Sequence, residues 1–453
     1  MIETINPATN EVIEYYDLLT ADEIQNILKQ SEATFQEYRK TTFEYRKKLM
    51  LRAADLLEER KDKYAQTMTD EMGKTLKSSV AEVEKCAWVC RYYADNAEAF
   101  LGDEPVDTDA SKSLICYRPM GAVLAVMPWN YPFWQVFRFA APALMAGNVC
   151  LLKHASNVPQ SALYIEEVFV DAGFPEYAFK TLLIKSEMVA SMLEKPIVKA
   201  ATLTGSGPAG SAVASTAGNQ IKKTVLELGG SDPYIILEDA DLDHAAEQCK
   251  QSRLLNAGQS CIGAKRFIIV EEVYEQFLEK FKILMTNASM GDPNTDVDLG
   301  PMARFDLRDE VHQQVLDSVS AGAKVILGGE IPSMEGSYYP PTILVDVKPG
   351  VPAYSDEIFG PVASVIKVKD EQEAIRVAND TAFGLGSCVF TKDLERGERI
   401  AKEEIDAGSC FVNQFVKSDP RLPFGGIKTS GYGRELSYYG IREFVNVKTI
   451  YIK

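Results

Sequence analysis

The alternation of apolar and polar positions divides the chain into a helical N-terminal part and a longer part in which strands alternate with helices. Residues from about 20 to 100 repeat apolar positions at helical spacing among many Glu, Lys and Ala residues, which predicts two or three long amphipathic helices. From residue 113 onward, short apolar runs are separated by stretches of helical periodicity such as 159–172. This alternation predicts parallel sheets that are covered by helices on both faces.

Two such sheets are predicted, because the alternation starts again after Gly230. The runs that predict strands of the first sheet are 121–127, 149–153, 181–184 and 199–203. Those of the second sheet are 234–237, 267–270, 324–327, 364–367 and 387–390, with helices at 241–255 and 273–287 between them. A second α/β domain is therefore predicted to begin near residue 226. The C-terminal run 444–452 has strand character but is too short to fold alone, so we expect it to extend a sheet of this chain or of a partner.

Composition and charge narrow the class of protein. A hydrophobic content of 46% with 25% charged residues over 453 residues is typical of a globular enzyme of two or three domains. The net charge of −17 argues against nucleic-acid binding. Eight cysteines without disulfide or metal-ligand spacing, and only three histidines, predict no metal site and a reducing, cytoplasmic setting. The most apolar region, 121–152, is interrupted by three prolines and by Arg138 and Asn148, which excludes a membrane span. We also expect no signal peptide.

One cysteine, Cys261, has a sequence environment unlike that of the other seven. Those seven lie in apolar or amphipathic segments, where a cysteine is usually a small core residue; Cys86 and Cys90, at helical spacing, are expected to share one buried face. Cys261 instead follows Gly258 and precedes Gly263 in a small, polar segment, which predicts an accessible loop. A thiolate held there is a candidate nucleophile for a carbonyl carbon.

A carboxylate that could assist this thiol lies 34 residues upstream. Glu227 ends an apolar run and precedes the pair Gly229-Gly230. A carboxylate can activate the water that hydrolyses a covalent adduct. Cys261 and Glu227 are therefore interpreted as a nucleophile and a general base.

Two further segments are candidates for dinucleotide binding. Leu203 to Gly210 follows a predicted strand and opens a helix, where backbone N–H groups and the helix dipole favour a phosphate. A plain strand-to-helix turn explains that segment as well, because its glycines do not follow the usual fingerprint. Lys153 and Ser156 follow the second strand, where an adenosine ribose often lies; a solvated loop is the alternative. Uncharged Ser156 would tolerate a 2′-phosphate that a carboxylate would repel.

Asn130 and Arg138 follow the first strand of the same unit. Asn130 is a candidate helix cap or an amide donor to a developing oxyanion. Arg138 lies about two helical turns further on, where it would face the same cavity or solvent. The segments 357–361 and 422–426 are rich in Gly and Pro, which suits tight turns beside a ligand or ordinary loops.

Taken together, these segments resemble the NAD(P)-dependent aldehyde dehydrogenase family. The resemblance is carried by Pro128-Trp129-Asn130, Thr204-Gly205-Ser206, Leu226-Glu227-Leu228-Gly229-Gly230, Gly258-Gln259-Ser260-Cys261, Glu357-Ile358-Phe359-Gly360-Pro361 and Pro423-Phe424-Gly425-Gly426. Their order and spacing cover essentially the whole chain and are highly specific. Residues 134–138 and 416–421 add a narrower likeness to the family's short bacterial succinate-semialdehyde dehydrogenases.

The resemblance implies a role for each candidate residue. Cys261 is similar to the family's nucleophile, Glu227 to its general base, and Asn130, with the backbone N–H of Cys261, to its oxyanion hole. Residues like Arg138 and Ser418 hold the substrate carboxylate in the semialdehyde branch. The residues that fall where the family binds its dinucleotide are Trp129, Lys153, Ser156, Gly205, Ser206, Gly210, Leu228, Glu357 and Phe359.

The resemblance also implies the fold and the reaction. The fold would be two parallel-sheet α/β domains, 1–225 for the dinucleotide and 226–431 for catalysis, with a small β bridging element from 101–120 and 432–453. The reaction would oxidise succinic semialdehyde to succinate in a homodimer or homotetramer. Ser156 stands where NAD-preferring members usually have Glu, which favours NADP, with NAD possible. Gly263 stands where some members have a second cysteine, so no disulfide switch is expected there.

Other functions stay open from the sequence alone. A dehydrogenase of another small aliphatic aldehyde would use the same residues. A thiol hydrolase or acyltransferase would use Cys261 and Glu227 without a redox step, but would leave the segments around Lys153, Gly205 and Glu357 unexplained. A non-catalytic scaffold would be expected to lack Cys261 or Glu227, and both are present.

Overall fold

The N-terminal part of the chain forms a β-hairpin and four helices. The computed structural model describes residues 1–453, and its first elements are β1 (Ile2–Ile5), β2 (Val12–Tyr16), α1 (Ala21–Tyr38), α2 (Phe43–Glu59), α3 (Lys61–Met72) and α4 (Leu76–Leu101). The threonines at positions 20, 42 and 75 cap α1, α2 and α4 by accepting a backbone N–H. The prediction of at most three helices was wrong because only Arg60 separates α2 from α3, and no Gly or Pro marks that break.

A six-stranded sheet forms the first α/β unit. Its strands are β5 (Ala122–Met127), β6 (Val149–His154), β7 (Phe179–Thr181), β8 (Val198–Thr204), β9 (Lys223–Glu227) and the short antiparallel β17 (Gly431–Tyr432), in the order β17-β9-β8-β5-β6-β7. Its helices are α5 (Trp134–Ala146), α6 (Pro159–Asp171), α7 (Val189–Leu193) and α8 (Gly207–Asn219). The predicted strand 181–184 was wrong apart from its first residue. Leu182 and Ile184 are buried in a loop, and burial alone gave them the apolar character of a strand.

A seven-stranded sheet forms the second unit. Its strands are β10 (Asp232–Ile236), β11 (Ala264–Val270), β12 (Lys324–Leu327), β13 (Thr342–Val345), β14 (Val362–Val368), β15 (Gly386–Phe390) and β16 (Ser409–Val412), in the order β12-β13-β14-β11-β10-β15-β16, with only β12 antiparallel. Its helices are α9 (Leu242–Leu254), α10 (Tyr274–Thr286), α11 (Phe305–Ser320), α12 (Pro352–Ser355), α13 (Glu371–Asn379) and α14 (Leu394–Arg399). Two parallel-sheet units are therefore confirmed. The sequence patterns missed β13 and β16, which have four residues each.

The two parts of the predicted bridging element pair with each other. β18 (Val445–Ile452) runs antiparallel to β4 (Lys112–Pro119) over all eight residues, and β3 (Glu104–Pro105) lies on the other side of β4. A short helix, α15 (Ser437–Glu443), precedes β18. The C-terminal strand thus joins a sheet of its own chain, and its outer edge has no partner.

The chain passes between the two large sheets twice. The first crossing, 228–231, joins β9 to β10, so the predicted boundary at 225 falls inside β9. The second crossing, 413–430, joins β16 to β17, which returns to the first sheet beside β9. No helix is both long and apolar enough to cross a membrane.

Candidate active site

Two cavities meet at Cys261. The first, of about 190 Å³, is called here the inner cavity; the second, of about 370 Å³, is called the outer cavity. Cys261 and Gln135 line both cavities. Other residues of the inner cavity are Lys74, Glu82, Lys85, Trp134, Arg138, Ser418 and Phe424, and others of the outer cavity are Trp129, Asn130, Thr204, Gly205, Ser206, Leu228, Glu357 and Phe359. The Cys261 thiol therefore borders both cavities. It can react with a ligand in one cavity while a second ligand lies in the other.

The loop that presents Cys261 has an unusual backbone. Asn256, Ala257 and Gly258 have φ values of 56°, 52° and 76°, a left-handed run that costs about 1 kcal/mol or more for each residue with a side chain. A Cβ on Gly258 would overlap the backbone of Gly360. The segment 357–361 thus packs directly against the nucleophile loop, through a glycine on each side.

Lys265 holds the Cys261 loop in place through hydrogen bonds. It was not among the site residues predicted from the sequence. Its Nζ donates to the carbonyl oxygens of Ser260 at 2.9 Å and Cys261 at 2.8 Å. The same Nζ lies 3.2 Å from a carboxylate oxygen of Glu357. Lys265 is buried in β11 beside Arg266, and nothing in the sequence around it indicated this role.

Asn130 is fixed against the same loop. Its Nδ2 donates to the Gln259 carbonyl at 3.1 Å, and Asn256 Nδ2 donates to the Asn130 carbonyl at 2.8 Å. Helix α5 begins only at Trp134 and is capped at Phe133, so the capping role considered for Asn130 was wrong. One of the two amide hydrogens of its Nδ2 is left for a ligand in the outer cavity.

The surroundings of the Cys261 thiol favour its protonated form. Burial raises the pKa of Cys261 to about 11, although the nearby charges of Arg138 and Lys265 act in the opposite direction.

All eight cysteines are free thiols, and only Cys261 and Cys410 are partly exposed. Cys86 and Cys90 are fully buried on α4, as predicted.

Glu227 lies at the end of β9, behind the wall of the cavities rather than in it. Neither of its carboxylate oxygens has a hydrogen-bond partner, and burial, followed by the nearby charge of Glu435, raises its pKa well above the usual range. A Cβ on Gly425, whose φ is +155°, would lie 2.8 Å from Glu227 Oε1. The 422–426 segment therefore covers this carboxyl group as closely as a backbone can.

The two predicted substrate residues line the inner cavity, and each already has a polar partner. The Arg138 guanidinium forms a buried ion pair with Glu435 and donates to Thr204 Oγ1 at 3.2 Å. Ser418 Oγ accepts a hydrogen bond from Lys85 Nζ at 2.7 Å. Lys85 and Glu435 were both missed, because Lys85 is one of several charged residues of α4 and Glu435 lies in a short connection between β17 and α15.

The outer cavity ends at the start of α8. Ser206 is the N-cap residue of α8, and no side chain caps the helix, so its first N–H groups are available to a phosphate. Gly205 and Ser206 line the cavity together with Leu228. Gly210 does not line it: a Cβ there would lie 2.6 Å from Leu228, so this glycine lets α8 pack against that side chain.

A third cavity, of about 330 Å³, lies between α7 and α8 and is mainly apolar. Ser186 lines it and accepts a hydrogen bond at 3.2 Å from Lys153 Nζ at the end of β6. Lys153 has no carboxylate within ion-pair distance, and burial lowers its pKa. Ser156, three residues further on, is exposed. A flat apolar ring and an anionic group could therefore lie side by side here.

Comparison with known proteins agrees with this arrangement. Residues 1–450 match the aldehyde dehydrogenase family. A probable NADP(+) succinate-semialdehyde dehydrogenase of Synechocystis is 52% identical over 100% of this chain and 99% of its own, and the corresponding enzyme of Mycobacterium leprae is also 52% identical with the same coverage. The crystal structure of succinic semialdehyde dehydrogenase from Streptococcus pyogenes in complex with NADP+ has a TM-score of 0.98 and 39% identity, with both chains covered completely. The chain belongs to the aldehyde dehydrogenase family.

Proposed function

We propose that this protein oxidises succinic semialdehyde to succinate with NADP+ as the hydride acceptor. The observation that carries the proposal is the position of Cys261 where a cation-lined cavity meets a cavity that ends at a free helix N-terminus. Two relatives that are 52% identical to this chain and are named as NADP(+) succinate-semialdehyde dehydrogenases support the proposal.

The residues present fit the dinucleotide. The apolar third cavity suits the adenine ring, and Lys153, which lacks a carboxylate partner, suits the adenosine ribose and its 2′-phosphate. The free N–H groups of α8 and Ser206 suit the pyrophosphate. Glu357, Trp129, Leu228 and Phe359 surround the remaining space next to Cys261. When bound, the nicotinamide ring supplies the hydride acceptor.

The first half of the reaction forms a bond to sulfur. Cys261 Sγ loses its proton to a water molecule and attacks the aldehyde carbon, and the carbonyl π electrons move onto oxygen. The free hydrogen of Asn130 Nδ2 and the backbone N–H of Cys261 donate to that oxygen. When the oxygen electrons re-form the carbonyl, hydride leaves the carbon and a thioester remains on Cys261.

The second half breaks the bond to sulfur. Glu227 in its ionised form takes a proton from water, whose oxygen attacks the thioester carbon. The C–S bond then breaks, which releases the carboxylic acid and the thiolate. Because Glu227 lies beside Glu435 and outside the cavity lining, its side chain must rotate toward Cys261 for this step.

Steady-state kinetics with two aldehydes and two cofactors test the proposal. We expect the highest kcat/KM for succinic semialdehyde with NADP+, and a clearly lower value for butanal, which lacks the carboxylate. Equal values for the two aldehydes would refute the proposed substrate, and a higher value with NAD+ would refute the proposed cofactor.

Replacing Ser156 with glutamate should shift the cofactor preference toward NAD+. The new carboxylate would lie beside the site proposed for the 2′-phosphate, and repulsion between two such charges is worth ~4 kcal/mol at 4 Å near a protein surface. We expect kcat/KM with NADP+ to fall about tenfold or more while that with NAD+ changes little. Ser333→Glu, which adds the same charge on an exposed loop of the second unit, should leave the ratio as it is. An unchanged ratio in Ser156→Glu would show that the adenosine ribose does not bind beside residue 156.

We further propose a homodimer or homotetramer in a cytoplasmic setting. β16 and β18 are both edge strands, and Val447 and Ile452 on β18 are 60% and 50% exposed. Unpaired edges with apolar side chains favour pairing with another chain. Light scattering should give a mass of two or four times 50.1 kDa; a monomer mass would contradict the proposed oligomer.

The proposed cytoplasmic setting is supported by the eight free thiols, which fit a reducing compartment.

A further inference from the structure

Four cationic side chains line the inner cavity, and two of them form buried ion pairs. Lys74 forms a buried ion pair with Glu82, and Arg138 forms one with Glu435. Lys85 lines the same cavity and has no carboxylate within ion-pair distance. Lys417, the fourth cation, also lacks a carboxylate partner but is exposed to solvent, so Lys85 is the largely buried cation of this cavity that has no carboxylate partner.

The contacts of Lys85 leave room for an anion. Its Nζ donates to Ser418 Oγ at 2.7 Å and lies 4.2 Å from the ring centre of Trp134. An ammonium group has three hydrogens, and these two contacts use at most two. A largely buried charge without a counter-ion is unfavourable, so a carboxylate that enters the cavity would relieve that cost.

We propose that Lys85, with Ser418 beside it, is the main contact for the substrate carboxylate. The inference rests on the proposed function and adds a residue to it. Arg138, which lines the same cavity and shares its charge with Glu435, is the other buried cation near this carboxylate.

The charge of Lys85 should make substrate preference depend on pH. Burial, and next the charge of Arg138, lower the pKa of Lys85 to about 8. The other groups that act on it are Glu82 and Cys86 from α4 and Asp419 from the second crossing. The ammonium is therefore present below about pH 8 and lost above it, so binding of an anionic substrate should weaken as the pH rises through that value. Titration of Cys261 affects both aldehydes alike and cancels in the ratio of their kcat/KM values.

Lys85→Met tests the proposal, since methionine keeps the length of the side chain and removes its charge. We expect kcat/KM for succinic semialdehyde to fall about ten- to a hundredfold, with a much smaller loss for butanal. The ratio of the two values should fall above about pH 8 in the unaltered enzyme and stay flat in the variant. Lys77→Met is the matched control, because Lys77 lies on the same helix with 85% of its side chain exposed, and it should change neither value.

Two further measurements separate the possible outcomes. Succinate should inhibit butanal oxidation in the unaltered enzyme and in Lys85→Arg, which keeps the charge, but much less in Lys85→Met. If the unaltered enzyme prefers succinic semialdehyde and Lys85→Met keeps that preference, Lys85 is not the contact, although the proposed function stands. If the unaltered enzyme has no such preference but succinate inhibition still requires Lys85, the proposed substrate is wrong and the carboxylate site stands.

Discussion

Cys261→Ser should abolish aldehyde oxidation while the protein still binds NADP+. A serine hydroxyl in the same place is a far weaker nucleophile near neutral pH, and removing a nucleophile typically costs several orders of magnitude in turnover. The substitution changes one atom on a loop whose backbone is held by Lys265 and Asn256, so we expect the fold to persist. Formation of reduced cofactor, followed by absorbance, measures the loss.

Cys410→Ser is the matched control for this experiment. Cys410 is the other partly exposed thiol of the chain and lines neither the inner nor the outer cavity. It should keep nearly full activity. Fluorescence titration with NADP+ should give similar dissociation constants for both variants, and residual activity near the original level in Cys261→Ser would exclude Cys261 as the nucleophile.

Glu227→Gln should give one rapid turnover and then stop. An amide cannot take the proton from water, so the thioester would form and persist. The first half of the reaction does not need this carboxylate, and reduced cofactor should therefore appear as a burst of about one equivalent per site. Stopped-flow absorbance resolves the burst, and mass spectrometry of the quenched enzyme should find the acyl group on Cys261.

The pH dependence and a control variant sharpen this test. Burial raises the pKa of Glu227 well above the usual range, so the ionised base becomes more abundant as pH rises. The rate of thioester hydrolysis should therefore increase with pH. In Glu227→Gln, the rate of thioester hydrolysis should no longer increase with pH in this way. Glu166→Gln, at a carboxylate that pairs with Lys180 away from both cavities, should show no stall. Steady turnover at the original rate in Glu227→Gln would exclude Glu227 as the base.

Much of the fold could be predicted because long buried strands have a strong apolar signature. β5, β6 and β8 are almost wholly buried, and the sequence predicted each of them to within one residue. β13 and β16 have four residues each and were missed, although the equally short β12 was predicted; each of the two pairs in parallel with a strand that the sequence did predict. The break between α2 and α3 likewise depends on tertiary packing rather than on a breaker residue.

The candidate site divides in the same way. Cys261 and Asn130 lie in turns of unusual composition, and both line the outer cavity. Lys85 and Lys265 have ordinary sequence surroundings, and their importance comes from what the fold leaves unpaired or holds together. The sequence left open whether Arg138 faces a cavity or solvent; it lines the inner cavity, and its partner Glu435 lies 297 residues further along the chain. No local pattern could have revealed that pairing.

The two crossings between the sheets have a mechanical consequence. Residues 228–231 and 413–430 connect the units, and both contribute to the site through Leu228 and Ser418. If the units rock against each other, these two tethers fix the axis of rotation close to the reacting sulfur. Displacement grows with distance from such an axis, so the outer rims of the cavities can open and close by several times the movement at the centre. We expect ligand exchange to be gated at the rims, while the distances among the reacting groups stay nearly constant throughout the cycle.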